Sequence, residues 1–324
     1  MKEFYMQKKI IALAIASALA APAMALAETT IYGLASVSLD RVNDGAATNA
    51  TTAMGVSAPG SRLGFKGSED LSGGLSTFWM IETNVALDAP GTTKLGDRDA
   101  FAGLKSDSMG SVKLGSGGTP YRTSTRGLDL FDGTIASNIG LVSNGQLDGG
   151  APNSITYASP DMGGFTVEVA KAFEEAAIGT GGTAIAAKYA AGPLYAIVAQ
   201  RKKGNGPGNS TSGVKVGGSY SMDAFAVNLI LEKMTDTVGA VEAKNTNLYL
   251  GGKFNISSSD AVKAAFIKRG STTGATNDAK QITVGYDHNL SKDTMVYALY
   301  TKTTDNTTGA ADPSAISFGM HKSF

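Results

Sequence analysis

The groups in this sequence that come nearest to a catalytic or metal-binding set do not make one. Only two histidines occur, His288 and His321, and no cysteine, so thiol chemistry, cysteine-held zinc and a disulfide framework are unavailable. Asp129 and Asp132 in "DLFDG" stand three apart, which is not a calcium-loop spacing, and no glycine-rich turn closes in Gly-Lys-Ser or Gly-Lys-Thr. Basic and acidic side chains balance at 28 each, which removes the electrostatic case for nucleic acid. The inventory reads as no enzyme and no cofactor. What remains is a set of polar groups spaced at every second residue: Glu82 in "GLSTFWMIETNVAL", Glu168 in "FTVEVA", Asn228 and Glu232 in "FAVNLILE". Charges so placed line one wetted face and set an electric field in the water beside it.

The elements that present such a face are β-strands, because successive side chains point to opposite sides of the pleat. In "TTIYGLASVSLDRV" (29–42), Ile31, Val37 and Leu39 share one side while Ser36, Ser38 and Asp40 share the other. From residue 29 onward the chain repeats segments of about ten residues with this alternation, sixteen in all, ending in "SAISFGMHKSF". Brief turns such as "EDLSGGL", "SPDMGGF" and "SMDAF" alternate with longer polar stretches such as "NDGAATNATTAMGVSAPG", "RKKGNGPGNSTSG" and "TKTTDNTTGAADP". An even-numbered meander with short turns at one end and long loops at the other is the pattern of a transmembrane barrel, with periplasmic turns and external loops. A ring of that size leaves an aqueous lumen, so the apolar faces are assigned to lipid and the polar faces to the pore.

The first residues read differently. "MQKKIIALAIASALAAPAMALA" (6–27) has a basic start at Lys8 and Lys9, a short apolar core and a small-residue site at Ala25 to Ala27, the pattern of a secretory signal peptide over 1–27, with Met6 as an alternative start. The domain expected to follow spans 28–324.

Several segments resemble Gram-negative general porins, especially the betaproteobacterial group: "SRLGFKGSEDLSGGLSTFW" (61–79), "GDRDAFAGLKSDSMGSVKLG" (96–115), "NSITYASPDMGGF" (153–165), "VGYDHNLSKDTMVYALYTKT" (284–303) and "FGMHKSF". The resemblance implies an all-β, 16-stranded antiparallel barrel in the outer membrane, assembled as a homotrimer, that passes small hydrophilic solutes and ions, with its third external loop folded inward. Outer-membrane lipid, lipopolysaccharide and the barrel assembly machinery are the partners it implies. Residues 117–150, far longer than a hairpin needs and apolar at Leu128, Leu130 and Phe131, suit a constriction loop on their own account.

Matched to the family motif, Arg62 and Arg98 supply basic groups to the pore wall, and alternation places each opposite lipid-facing Leu63, Phe65 and Phe101; Lys66 follows Arg62 on the wet face. Asp129 and Asp132 of the long loop match the acidic side of the constriction approximately, with Glu82 added to them, and Arg126 is within reach of Asp129. Leu34, Ser116 and Pro152 stand where relatives carry basic residues, so the expectation is weak selectivity leaning toward cations. Tyr32, Phe78 and Tyr249 are the lumenal aromatics that a solute-specific channel would use, and a surface-binding, adhesin-like barrel is the other alternative. Phe324 matches the terminal aromatic that the family's assembly machinery reads, with Ile316, Phe318 and Met320 on its face and Lys322 interrupting it.

Cleavage is expected after Ala27. Intact-mass analysis of membrane-extracted, folded protein should give a chain beginning at Glu28; retention of the leader in that material would contradict the export signal.

Overall fold

The computed structural model describes residues 28–46, 48–89, 91, 94–137, 146–174 and 179–324. The leader expected over 1–27 lies outside them. The strands form one closed antiparallel sheet. Its first strand, β1 (Glu28–Asn43), pairs along one edge with the last, β17 (Ser314–Ser323), and along the other with β2 (Thr52–Ser57) and β3 (Arg62–Asp70). Between them each strand bonds its neighbours in chain order: β4 (Leu75–Asn84), β5 (Ala100–Ser106), β6 (Gly110–Gly118), β7 (Gly150–Ala158), β8 (Phe165–Ala172) and β9 (Gly182–Ala191), then β10 (Leu194–Gly204), β11 (Asn209–Met222), β12 (Phe225–Val238), β13 (Val241–Asn255), β14 (Asp260–Arg269), β15 (Ala279–Ser291) and β16 (Thr294–Asp305).

Seventeen segments make sixteen staves, because β2 and β3 lie end to end along β1. The break falls at Pro59 and Gly60, where proline has no N–H to give and Gly60 turns to φ +77°. Ser61 fills the gap in the ladder with its side chain: its Oγ accepts from Ser36 N at 2.9 Å and donates to Ser36 O at 2.7 Å. Closure leaves no open sheet edge, which lipid would leave unsatisfied.

The two faces separate as the alternation requires. On β12, Phe225, Val227, Leu229 and Leu231 are exposed outward while Asn228, Ile230 and Glu232 are buried inward. On β1, Ile31 and Leu39 point out and Ser36, Ser38 and Asp40 point in, but those three are 0–4% exposed, covered from inside. The alternation of loop lengths has two exceptions, the first being the β10–β11 connection of four residues, 205–208, no longer than the turn at 256–259. The β12–β13 connection is two residues, 239–240, because strands of 14 and 15 residues run on past the band and turn at Gly239, φ +59°.

The seam between β1 and β17 ends in a paired lock. Gly33 N donates to Phe324 O at 2.9 Å and Phe324 N to Gly33 O at 3.2 Å. The Phe324 ring lies over Gly33, where a Cβ would come within 2.3 Å of a ring carbon and 2.8 Å of Arg62 O. Gly33→Val is therefore expected to destabilise the barrel by about 1–3 kcal/mol through overpacking, read as a lower urea midpoint of the heat-modifiable folded band. A midpoint equal to wild type would show that the seam tolerates displacement of the ring.

Candidate functional site

Between β6 and β7 the chain enters the barrel. Helix α1 (Pro120–Arg126) starts with proline in its first turn, after extended Thr119. Tyr121, Ser124 and Thr125 are buried against the wall, whereas Arg122 and Arg126, one turn apart, take the other side. Beyond it, Leu128, Phe131 and Leu147 are also buried, at 0–2% exposure. These side chains seat where the inner wall has glycine. A Cβ on Gly213 would lie 2.5 Å from Leu147 and 2.6 Å from the Tyr121 hydroxyl, on Gly251 3.0 Å from Leu130, and on Gly285 2.9 Å from Phe131. Ile230, Tyr249, Ile267, Tyr297 and Leu299 complete the apolar wall beneath.

Polar contacts fix the same segment along its length. Arg201 on β10 donates to the carbonyls of Leu147 at 2.5 Å, Gly149 at 2.6 Å and Gly150 at 3.2 Å, tying down the returning limb beside Thr119. Lys215 on β11 pairs with Asp148 at 2.5 Å and lies 3.7 Å from Glu232, all three nearly fully buried. Glu232 also accepts from the Tyr121 hydroxyl and, at 2.9 Å, from Asn247. Tyr195 donates to Ser124 O at 2.6 Å and Asn228 to Leu128 O at 2.8 Å, while Leu130 N donates to the Tyr249 hydroxyl at 2.9 Å. On the far side Ser36 Oγ donates to Gly133 O at 2.9 Å, with His321 Nε2 3.1 Å from the same oxygen. The segment thus crosses the lumen from β10 to β1; its residues 138–145 lie outside the described ones.

The passage it leaves runs against β3–β6. There Glu82, 7% exposed, accepts from Tyr32 Oη at 2.9 Å and pairs with Arg98 and, at 3.5 Å, with Arg62. Arg62 is also held by Gly60 O at 3.0 Å and Arg98 by Asn84 Oδ1 at 2.9 Å. Across from them stand Arg122 and Arg126 of α1, the second 3.3 Å from Asp132. Arg62 and Arg122 each interact electrostatically with both Arg98 and Arg126. A polar cleft of about 400 Å³ opens between Arg98, Asp99, Arg122, Arg126 and, at its edge, Ser116 and Pro152.

Three expectations change. Arg98 does reach the lumen, but Phe101 is inward as well, paired across from Met80 and edge-on to Phe78 at 5.9 Å. The parity shifts because Arg98 N donates to Glu82 O while Glu82 N donates to Asp99 O, so two residues oppose one, the signature of a bulge. Asp129 does not line the passage. It is 8% exposed, with Oδ1 accepting from Phe131 N at 2.9 Å and Oδ2 from Ser137 at 3.0 Å, and its field acts on Tyr249 and Lys263 of the wall. Arg126 accordingly pairs with Asp132 rather than Asp129. Lys66 is inward and exposed below Arg62, over the Tyr32 ring at 5.1 Å. Tyr32, Phe78 and Tyr249 do not form a track, since Tyr249 is buried beneath the loop. Arg122 and Arg201 went unread in the sequence; the arginines four apart in "YRTSTR" are a visible signal for the first, and a lone arginine in an alternating strand gives none for the second.

Comparison with known proteins gives three findings. The family model described as Gram-negative porin matches residues 12–308. Outer membrane porin protein 32 of Delftia acidovorans is 30% identical over 313 residues, covering 90% of this chain and 88% of that protein, and the major outer membrane protein P.IA of Neisseria meningitidis serogroup B, strain H44/76, is 30% identical over 188 residues, 51% of this chain and 46% of that one. Among solved structures, an anion-selective porin from Comamonas acidovorans superposes with a TM-score of 0.80 at 25% identity, covering 92% of this chain and all of the other.

Arg201→Ala removes the donor to three loop carbonyls, so the limb at 146–149 should loosen. The expected outcome is a larger or noisier single-channel conductance with an intact folded band on gels. Conductance and noise identical to wild type would show that Arg201 does not hold the constriction.

Proposed function

The chain belongs to the Gram-negative porin family, and from that premise we propose that its passage favours small anions weakly. It is an outer-membrane channel for passive diffusion of small hydrophilic solutes, which calls for a polar narrow zone and no bond chemistry. The observation that carries the selectivity is the pairing of charges at the narrowest part. Glu82 is shared by two arginines and Asp132 is engaged by Arg126, whereas Arg122 makes no ion pair among the described residues. With Asp129 turned to the wall, the loop presents more positive than negative charge to the water. This reverses the cation lean expected from the sequence, and the anion selectivity named for the Comamonas acidovorans protein supports it. Below the narrow zone Lys66 and Lys113 face the lumen over the Tyr32 and Phe101 rings and continue the basic track.

Further parts of the reading rest on the family. The mature protein begins after a cleaved leader, assembles as a homotrimer, and uses Phe324 as the aromatic that the assembly machinery reads. Catalysis has no place in it. The scatter of Tyr32, Phe78 and Tyr249 supports general diffusion over a dedicated solute site.

Zero-current potentials in a salt gradient test the charge assignment. Replacing Arg122 and Arg126 together by Gln should move the potential toward cations, and Asp132→Asn should move it toward anions. Asp129→Asn should leave it unchanged where it folds. All shifts should shrink as salt rises, because screening acts over about 10 Å at 0.1 M. A double arginine variant with the wild-type potential would remove α1 from the selectivity zone.

A further inference from the structure

The seam that closes the barrel holds a block of oxygen-bearing side chains. Ser38 and Asp40 of β1, Ser317 of β17 and Tyr297 of β16 all face inward, and each is at most 4% exposed. Two neighbouring rows of the sheet bring them together. Tyr297, Gly319 and Ser38 share one row, and Leu299, Ser317 and Asp40 share the next on that face. Gly319 is what lets Tyr297 reach β1: a Cβ built there would lie 2.4 Å from the tyrosine hydroxyl, so the ring crosses the glycine and carries its oxygen toward Ser38 and Ser317. Asp40 and Ser317 are directly opposite, a relation that sets Cβ atoms about 4.5–5.5 Å apart.

Three of these groups lack the bonds that burial demands. Asp40 Oδ2 accepts from Ser38 Oγ at 3.2 Å, but Oδ1 has no hydrogen-bond partner, and neither the Ser317 hydroxyl nor that of Tyr297 makes an aligned hydrogen bond. Asp40 also makes no ion pair among the described residues; Lys263 on β14 is held by Asp287 at 3.0 Å. A buried carboxylate that is neither paired nor fully hydrogen-bonded is costly, and protein interiors compensate such a charge. A water molecule would satisfy the hydroxyls without answering the charge. A cation answers both.

The donor set narrows the choice of cation. Oxygen donors alone suit a hard ion. Calcium takes about six to eight oxygens, with carboxylates prominent among them. This block offers one carboxylate and two hydroxyls, so a divalent ion would replace a buried negative charge by a buried positive one.

We propose that Asp40 Oδ1, Ser317 Oγ and Tyr297 Oη bind one sodium ion, with Ser38 fixing the carboxylate through its other oxygen. The ion neutralises Asp40 and joins β1, β16 and β17 beside Ser36, where the loop is fastened at Gly133. It is a structural ion of the seam, apart from the passage along β3–β6, and it stands whichever ion the channel prefers.

Urea unfolding of the folded protein in neutral detergent, with sodium chloride exchanged stepwise for choline chloride at constant ionic strength, tests the site. One ion bound only to the folded chain should lower the unfolding constant per chain tenfold for each tenfold rise in sodium above the dissociation constant, about 1.4 kcal/mol per decade. Asp40→Asn should lose this dependence and, carrying no buried charge, be no less stable than wild type in choline. Ser317→Ala combined with Tyr297→Phe keeps the charge and removes two ligands, so it should need roughly tenfold more sodium or beyond for the same gain. A wild-type midpoint equal in sodium and choline would overturn the site, and so would a sodium dependence that survives in Asp40→Asn. Micromolar calcium acting in sodium's place would overturn the assignment to a monovalent ion.

Discussion

The seating of residues 119–137 and 146–149 on the inner wall is the contact on which the channel depends. A lumen this wide holds water, and a polar segment of that length would have no reason to leave it. The segment enters as an apolar strip instead, with Tyr121, Leu128, Phe131 and Leu147 excluded from water; each such side chain contributes about 1.5–3 kcal/mol when buried. The wall answers with glycine at Gly213, Gly251 and Gly285, so that rings and methyl groups sink into the sheet. Lys215 then lies between Asp148 and Glu232 out of solvent. Removing one member of such a set strands a buried charge at about 3–5 kcal/mol, which makes partial lifting of the loop unfavourable.

From that seating the rest of the pore follows. The dry half of the lumen lies along β8–β16, which pushes the water toward β3–β6. A helix that buries one side must offer its opposite side to the gap, and here that side carries Arg122 and Arg126. The facing wall supplies Arg62 and Arg98, gathered on Glu82. The field at the narrow zone is therefore set by how the apolar strip lies, because the strip decides which charges meet water.

The barrel was legible because period-two alternation over ten-residue segments is a physical requirement of a two-faced sheet, and TTIYGLASVSLDRV displays it from Ala35 to Asp40. The count of sixteen strands holds although one stave is broken at Pro59–Gly60, where Ser61 replaces backbone pairing by a side-chain bridge that no pattern announces. Arg62, Lys66 and Glu82 were readable from alternation or motif because they sit in regular strands. Arg98 and Phe101 were not readable together, since a bulge resets parity between them. Asp129 and Asp132 differ only in which way a loop turns, and that is decided by hydrogen bonds from Phe131 and Ser137 within the folded loop.

The loop's two far attachments have a mechanical meaning. Tyr195 on β10 grips Ser124, and Ser36 with His321, on β1 and β17, grips Gly133. A single-layer cylinder resists stretching along its hydrogen bonds but flattens easily under sideways pressure. A chord tied to distant points on its circumference acts as a strut, converting a hoop into a braced frame. The cross-section at the strut is then set by the length of the chord, so the aperture keeps its size while the bilayer around it thins, thickens or bends.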